Sequence, residues 1–377
     1  MQEKQSKKCN VKNQHYVPQF YLKNFSKDKK NIGVFVIENC KYVASASIKH
    51  QSSEDYFYSE NPDIERDLGA LERDAKIVID TISGNPKVKL NSKNAYTLYL
   101  FTMIQQGRTL ANANFVQDHI NATTREIIKI KNKIGDTEET GGVDNFDIDG
   151  LNLKIEHPAR LSLAAQAALA NTCIDLHRKI IINNTQKPFI TSDNPVAIYN
   201  TFIERMNTGM YSLASRGLQI FLPLNPSLAL FLYDSKCYKI GRRKDSFIEL
   251  NNSSDINELN RLTVLNAERT LYFEPDSIKE SELSALVNEN EKYRVRQSAR
   301  AFRERIEEDK IAVVTYHLPI LCKLSLSFIK ELPAYKALKP TEFNHDKHCY
   351  REIAYHRNEI IEATIGKQFF QEIFKQR

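Results

Sequence analysis

The segment Lys187-Pro188-Phe189-Ile190-Thr191-Ser192-Asp193-Asn194-Pro195-Val196 is the tightest local constraint on this chain. Phe189 to Thr191 reads as a short buried strand that runs straight into a polar turn. Ser192, Asp193 and Asn194 can bond the nearby backbone, and Pro195 fixes the turn and blocks helix continuation. An acid on a turn at the end of a buried strand is held rigidly and still faces solvent, where functional carboxylates often sit. The same residues also suit an Asx-turn that merely closes a strand.

What surrounds this stretch is mainly helical. Pro18 sits at the first turn of a predicted helix whose apolar face is Phe20, Tyr21, Leu22 and Phe25, with His15 just ahead of its N-terminus. Ile32–Ile37 and Tyr42–Ile48 read as a β-hairpin. The 62–83 stretch has helical periodicity and carries Glu65 and Glu72 two turns apart. That spacing suits a shared metal or, more simply, a solvated charged face. A second helix starts near Ser92 and is almost wholly apolar from Ala95 to Ile104. Gln105, Arg108 and Asn112 then form a polar stripe that must either satisfy a neighbouring loop or line a cavity.

Residues 135–150 are acidic and glycine-bearing and predict a mobile loop. Helix is expected over 158–182, strands over Leu218–Leu222 and Leu228–Tyr233, helix over Asn251–Leu265 and a strand at Leu271–Phe273. Ser277 and Glu280 make a capping box that opens a long helix to Glu308. Arg296, Arg300 and Arg303 would share one face of it, a candidate phosphate track unless neighbouring acids neutralise it.

The fold class expected is α+β, mostly helical, with a small antiparallel or mixed sheet. The expected order is a tail over 1–12, a main domain over 13–310 and a helical region over 311–377. The 377 residues hold 41% hydrophobic side chains, enough for a sizeable core. A net charge of +6 permits an anionic partner without demanding one. Six scattered cysteines form no CxxC, and no apolar run reaches membrane-spanning length, so a soluble cytoplasmic protein is expected.

Three motifs combine in order: HYVPQFYLKNF from His15, QQGRT from Gln105, and FITSDNPV followed by FLPLNPSLAL. Together they resemble domain-of-unknown-function family 4238, over roughly residues 13–275. The resemblance implies no settled activity. It does imply that His15, Arg108, Asp193 and Asn194 belong to one shared site. Many members carry two histidines before the Tyr-Val-Pro, and here the first is Gln14.

Other patterns carry less. Asn145-x-Asp147-x-Asp149-Gly150 nearly matches a calcium loop, but Asn152 stands where an aliphatic residue belongs and Pro158 interrupts the exiting helix, so no calcium is expected. Arg351 and His356 have the Arg-x4-His spacing of HEPN ribonucleases, a two-residue pattern that arises by chance. His345, His348 and Cys349 fit no zinc module. Walker A, GxGxxG, GxSxG and HExxH motifs are absent.

Two functions are compatible with these residues. One is a hydrolase acting on nucleic acid, a bacterial toxin or anti-phage defence effector. Asp193 would be its base or the ligand of a divalent metal ion, His15 its acid or base, and Arg108 its phosphate clamp, with Asn194 beside them. The other is a non-catalytic binding or sensor protein in which the same groups tie segments together. Its partners would be nucleic acid, a second copy of the chain or a defence-system protein, with no membrane. The first needs His15, Arg108 and Asp193 in one open pocket.

Overall fold

The computed structural model describes residues 12–60, 62–134, 147–206, 212–294, 299–307, 310–317, 319–342 and 349–353. The chain opens with β1 (Asn13–His15) and a single helical turn, α1 (Gln19–Leu22). The predicted hairpin follows as β2 (Asn31–Val36) and β3 (Lys41–Ser47), then β4 (Ser53–Asp55), which pairs with β1. A helical layer comes next: α2 (Pro62–Gly84), α3 (Ser92–Gly107), α4 (Leu110–Ile134) and α5 (Pro158–Leu169). The N-cap of α3 is Asn91, whose side chain accepts the Asn94 amide.

Sheet then alternates with helix. The strands are β5 (His177–Asn183), β6 (Thr191–Ser192) and β7 (Ala197–Tyr199), followed by the short α6 (Thr201–Met206). After these come β8 (Gln219–Asn225), β9 (Leu228–Tyr233), β10 (Tyr238–Ile240) and β11 (Phe247–Leu250). Helix α7 (Ser253–Asn266), strand β12 (Thr270–Phe273) and helix α8 (Glu280–Asn290) follow. The last described elements are β13 (Ala299–Glu307), β14 (Lys310–His317), β15 (Ile329–Glu331) and α9 (Pro333–Lys336). The fold is α+β, with more helix than strand.

Two sheets organise it. One has five strands in the order β11-β5-β9-β8-β7, parallel between β11 and β5 and antiparallel elsewhere. Its strands β8 and β9 are buried along nearly their whole length because both faces are covered, whereas β5 and β11 also carry charged residues. Ile220, Leu222, Leu228, Leu230 and Leu232 enter a core shared with α1, α2 and α3. Phe221, Ala229, Phe231 and Tyr233, one residue out of phase, enter the opposite core against α7. The other sheet, β3-β2-β12-β6, is antiparallel and packs Phe35, Leu271 and Phe273 against Leu283 and Val287 of α8. The 187–196 stretch joins the two. Phe189 belongs to one core and Ile190 to the next, while β6 lies in the four-stranded sheet and β7 in the five-stranded one.

Three sequence expectations are corrected. Helix does not run to 182: it gives way to a 3-10 turn at Ala170–Cys173, and Ile180-Ile181-Ile182 take a strand position, as β-branched residues favour. The long helix to Glu308 stops at Asn290, with a 3-10 turn at Glu291–Tyr293, and β13 and β14 form an antiparallel hairpin. Arg300 and Arg303 are therefore strand residues, opposite Tyr316 and Val313, and a strand does not bring residues three apart to one face. Arg296 lies outside the described residues. Over its described part the region from 311 is not the helical one expected: it holds most of β14, then β15 paired with β10, and only the short α9 and a 3-10 turn at Pro340–Glu342, while Cys322 and Leu324 enter the core beside α7. The last amphipathic helix, His345, His348, His356, residues 1–11 of the tail and residues 135–146 of the acidic loop lie outside the described residues. No described helix is long and apolar enough to cross a membrane.

Gly33 of β2 stands opposite Phe273 of β12, at a break in the β2–β3 register. A Cβ there would overlap the Phe273 ring, which is fully buried and stacked on Tyr42. Gly33→Ala is expected to lower stability by about 1–3 kcal/mol, read from denaturant unfolding. Unchanged stability would show that β2 and β12 do not pack as tightly at this point as described.

Candidate functional site

The turn after β6 faces the turn between α7 and β12, and the two are stitched together. The Asp193 carboxylate accepts three successive amides: Glu268 N at 2.9 Å on Oδ1, and Arg269 N at 2.8 Å and Thr270 N at 3.1 Å on Oδ2. Its own amide donates to the Thr270 carbonyl at 3.0 Å. Asp193 is 1% exposed. Burial pushes its carboxyl up to about 7, and the amide hydrogen bonds pull against that rise.

Asn194 extends the seam. Its Nδ2 donates to the Asn266 carbonyl at 2.9 Å, and Asn266 Nδ2 returns bonds to the carbonyls of Asn194, at 2.6 Å, and Val196, at 3.0 Å. Its Oδ1 accepts the Thr109 hydroxyl at 3.1 Å. Thr109 belongs to the break between α3 and α4, where the polar stripe of α3 ends. The stripe satisfies a neighbouring segment: Gln105 Nε2 donates to the Tyr16 carbonyl at 3.0 Å, and Asn112 Nδ2 to the Gln106 carbonyl at 2.6 Å.

Arg108, 2% exposed, uses all its guanidinium nitrogens. Nε donates to the Tyr58 hydroxyl at 3.0 Å, Nη1 to Glu72 Oε1 at 2.6 Å and Nη2 to the His15 carbonyl at 2.6 Å. Burial alone would lower its pKa; the Tyr58 oxygen and the Glu72 carboxylate reverse that and raise it, so the cation persists. Gln14, which precedes His15, is also structural. Its Nε2 donates to the Ser59 carbonyl at 2.8 Å and its Oε1 accepts the Tyr58 amide at 2.7 Å. A neutral imidazole also carries one donor and one acceptor, so a histidine there could fill both roles.

The four predicted residues are thus connected, but not as a pocket. His15 and Arg108 meet through the His15 backbone, and Asn194 reaches Thr109 next to Arg108. Asp193 is turned the other way, onto backbone amides. His15 ends β1, opposite Ser53, shortly ahead of Pro18, the N-cap of α1. Glu72, Tyr58, Thr109 and Asn266 belong to the network and were not singled out for it. Glu72 stood in the sequence only as half of a carboxylate pair on α2, where it is partly buried and paired with Arg108. Thr109 carried the one usable signal, as the last residue of QQGRT.

Proton-active groups remain near Arg108. Burial lowers the pKa of His15; Arg108 and His50 lower it further, while its ring N–H bond to the Lys49 carbonyl and the Glu72 charge oppose them. With Nδ1 as that donor, Nε2 is buried without a partner. Burial raises the pKa of Glu65, whose Oε1 also has no partner. Among the described residues no group of three or more His, Cys, Asp and Glu is arranged to hold a metal ion. Arg351 is buried on the carbonyls of Thr172, Leu213 and Ser215 and on Asp175, a structural anchor for the chain at 351.

Because the folded pKa of His15 lies below 6.5, the unfolded chain takes that proton first as pH falls. His15 therefore removes stability as pH drops from 6.5 toward its folded value. Denaturant unfolding at pH 7.5 and 5.0 is expected to show wild type losing more stability, or gaining less, than His15→Gln. Equal pH dependence would place His15 in an ordinary solvated setting. Glu65, common to both proteins, cancels in the comparison.

No curated protein and no solved structure matches the chain. A family model described as a protein of unknown function, DUF4238, matches residues 13–277, the span that contains β1, both sheets and the whole Asp193–Asn194–Arg108 network. The chain belongs to this family.

Proposed function

We propose that this chain is a binding or sensor protein whose motif residues hold its frame, leaving the contacts that matter for function to its outer surface. One observation carries the reading. Both oxygens of the buried Asp193 carboxylate are taken by amides of its own chain, so neither is offered to a substrate or a metal. Arg108 is likewise committed to Glu72, Tyr58 and the His15 carbonyl, and a phosphate would have to displace all three.

A nucleic-acid hydrolase of the toxin or defence kind keeps one specific support, the unpartnered Nε2 of His15 near Glu72. That reading asks for a folded His15→Gln variant that has lost nucleic-acid cleavage.

The framework reading is tested by stability. Asp193→Ala leaves three amides without an acceptor, and Arg108→Ala leaves Glu72 with an uncompensated charge. Each is expected to lower unfolding free energy by about 3–5 kcal/mol. A catalytic Asp193 makes the opposite forecast, a variant that melts with wild type and lacks activity. Melting curves of the purified variants separate the two.

A further inference from the structure

Lys179 is an expensive residue to bury. It is 2% exposed in the middle of β5, and its Nζ donates to the carbonyls of Arg242, at 2.7 Å, and Asp245. Those two carbonyls belong to the turn between β10 and β11. Gly241 opens the turn at φ +56°, a left-handed position that suits glycine. Arg242 closes it by accepting the Asp245 amide at 3.2 Å. A buried cation thus fixes a tight turn that presents Arg242, Arg243 and Lys244 to solvent in succession.

The surroundings of this turn add charge of the same sign. On β10 Lys239 stands directly opposite Lys330 of β15, a like-charged pair that costs the ladder stability. On the other side lie Arg178 and Lys89. None of these seven cations has an ion-pair partner among the described residues. The neighbouring acids are mostly engaged. Glu249 holds Lys87, Glu352 holds Lys236, Asp175 holds Arg351, and Asp234 accepts the amides of Gly217 and Lys236. Asp245 is the remaining acid on this face. Three adjoining clefts of about 810, 710 and 480 Å³ surround the turn. The middle one is walled by Tyr96, 44% exposed, with Tyr99 and Phe247.

We propose that this face binds single-stranded nucleic acid, with the Arg242–Lys244 turn on the phosphates and the Tyr96 cleft receiving unpaired bases. Cations along a groove with an accessible aromatic ring are the combination by which single strands are held without base reading. A duplex keeps its bases stacked inside and has no use for the ring. The inference deepens the binding reading by naming its partner, and it rests on that reading only in expecting the strand to survive.

The test is fluorescence anisotropy of the full chain with a labelled single-stranded oligonucleotide, repeated across salt concentrations. Wild type should bind and weaken steeply with salt. Arg242→Ala/Arg243→Ala/Lys244→Ala should bind at least about tenfold more weakly and lower the log–log salt slope by about two, since each phosphate contact on a single strand contributes about 0.7. Tyr96→Ala should weaken binding about tenfold with the slope unchanged, the mark of lost stacking. Lys27→Ala/Lys30→Ala/Lys41→Ala, exposed lysines outside the three clefts, should behave as wild type. If the triple variant misfolds, Arg243→Glu alone must show the loss. No binding by wild type, an unaffected turn variant, or equal binding of duplex or phosphatidylserine vesicles would overturn the proposal. Cleavage of the bound probe would instead overturn the non-catalytic reading, while the turn variants still decide the surface.

Discussion

The contact on which the architecture depends is a single carboxylate facing three consecutive peptide amides. Asp193 closes the α7–β12 turn by taking the N–H groups of Glu268, Arg269 and Thr270. A chain that leaves one sheet and enters another must break its ladder bonds at the crossing, and polar groups exposed there would be buried without partners. The Asp193 side chain substitutes for a strand at that point. It lets β6 end in one sheet and β7 begin in the other with the intervening backbone still bonded.

The network grows outward by the same logic. Asn194 and Asn266 exchange amide bonds across the seam, and Thr109 links it to the α3–α4 break. Arg108 then ties that break to β1 and α2. Each link satisfies groups that a loop crossing would otherwise leave bare. A buried cation such as Arg108 is costly in isolation, and it is tolerated because three acceptors converge on it. Lys179 shows the same economy at the opposite end of the five-stranded sheet, where a buried ammonium holds a surface turn by its carbonyls.

Much of this was legible from residue pattern. The strands expected at Leu218–Leu222 and Leu228–Tyr233 follow from their apolar runs, although β8 continues through Pro223 to Asn225 where a turn was expected, and the strand expected at Phe189–Thr191 begins only at Thr191. Although the structure connects His15, Arg108, Asp193 and Asn194 without a shared pocket, their association was legible through the family resemblance alone. Their orientation was not, because a strand-end aspartate has the same neighbours in sequence whether it faces solvent or a distant turn. Residues 299–307 misled for a different reason. Ala, Arg and Glu favour helix locally, but the following Lys310–His317, rich in β-branched residues, pairs with them as a strand. The buried role of Lys179 had no signature at all, since lysine in a strand ordinarily turns to water.

The central claim concerns the amides of the α7–β12 turn, and hydrogen exchange reads those amides one at a time. If the Asp193 carboxylate holds them as described, Glu268, Arg269 and Thr270 exchange only when the core opens, with protection close to that of the β9 amides. Exchange at rates ordinary for a surface turn, while β9 stays protected, would contradict the account and return Asp193 to the list of carboxylates free to act on a ligand.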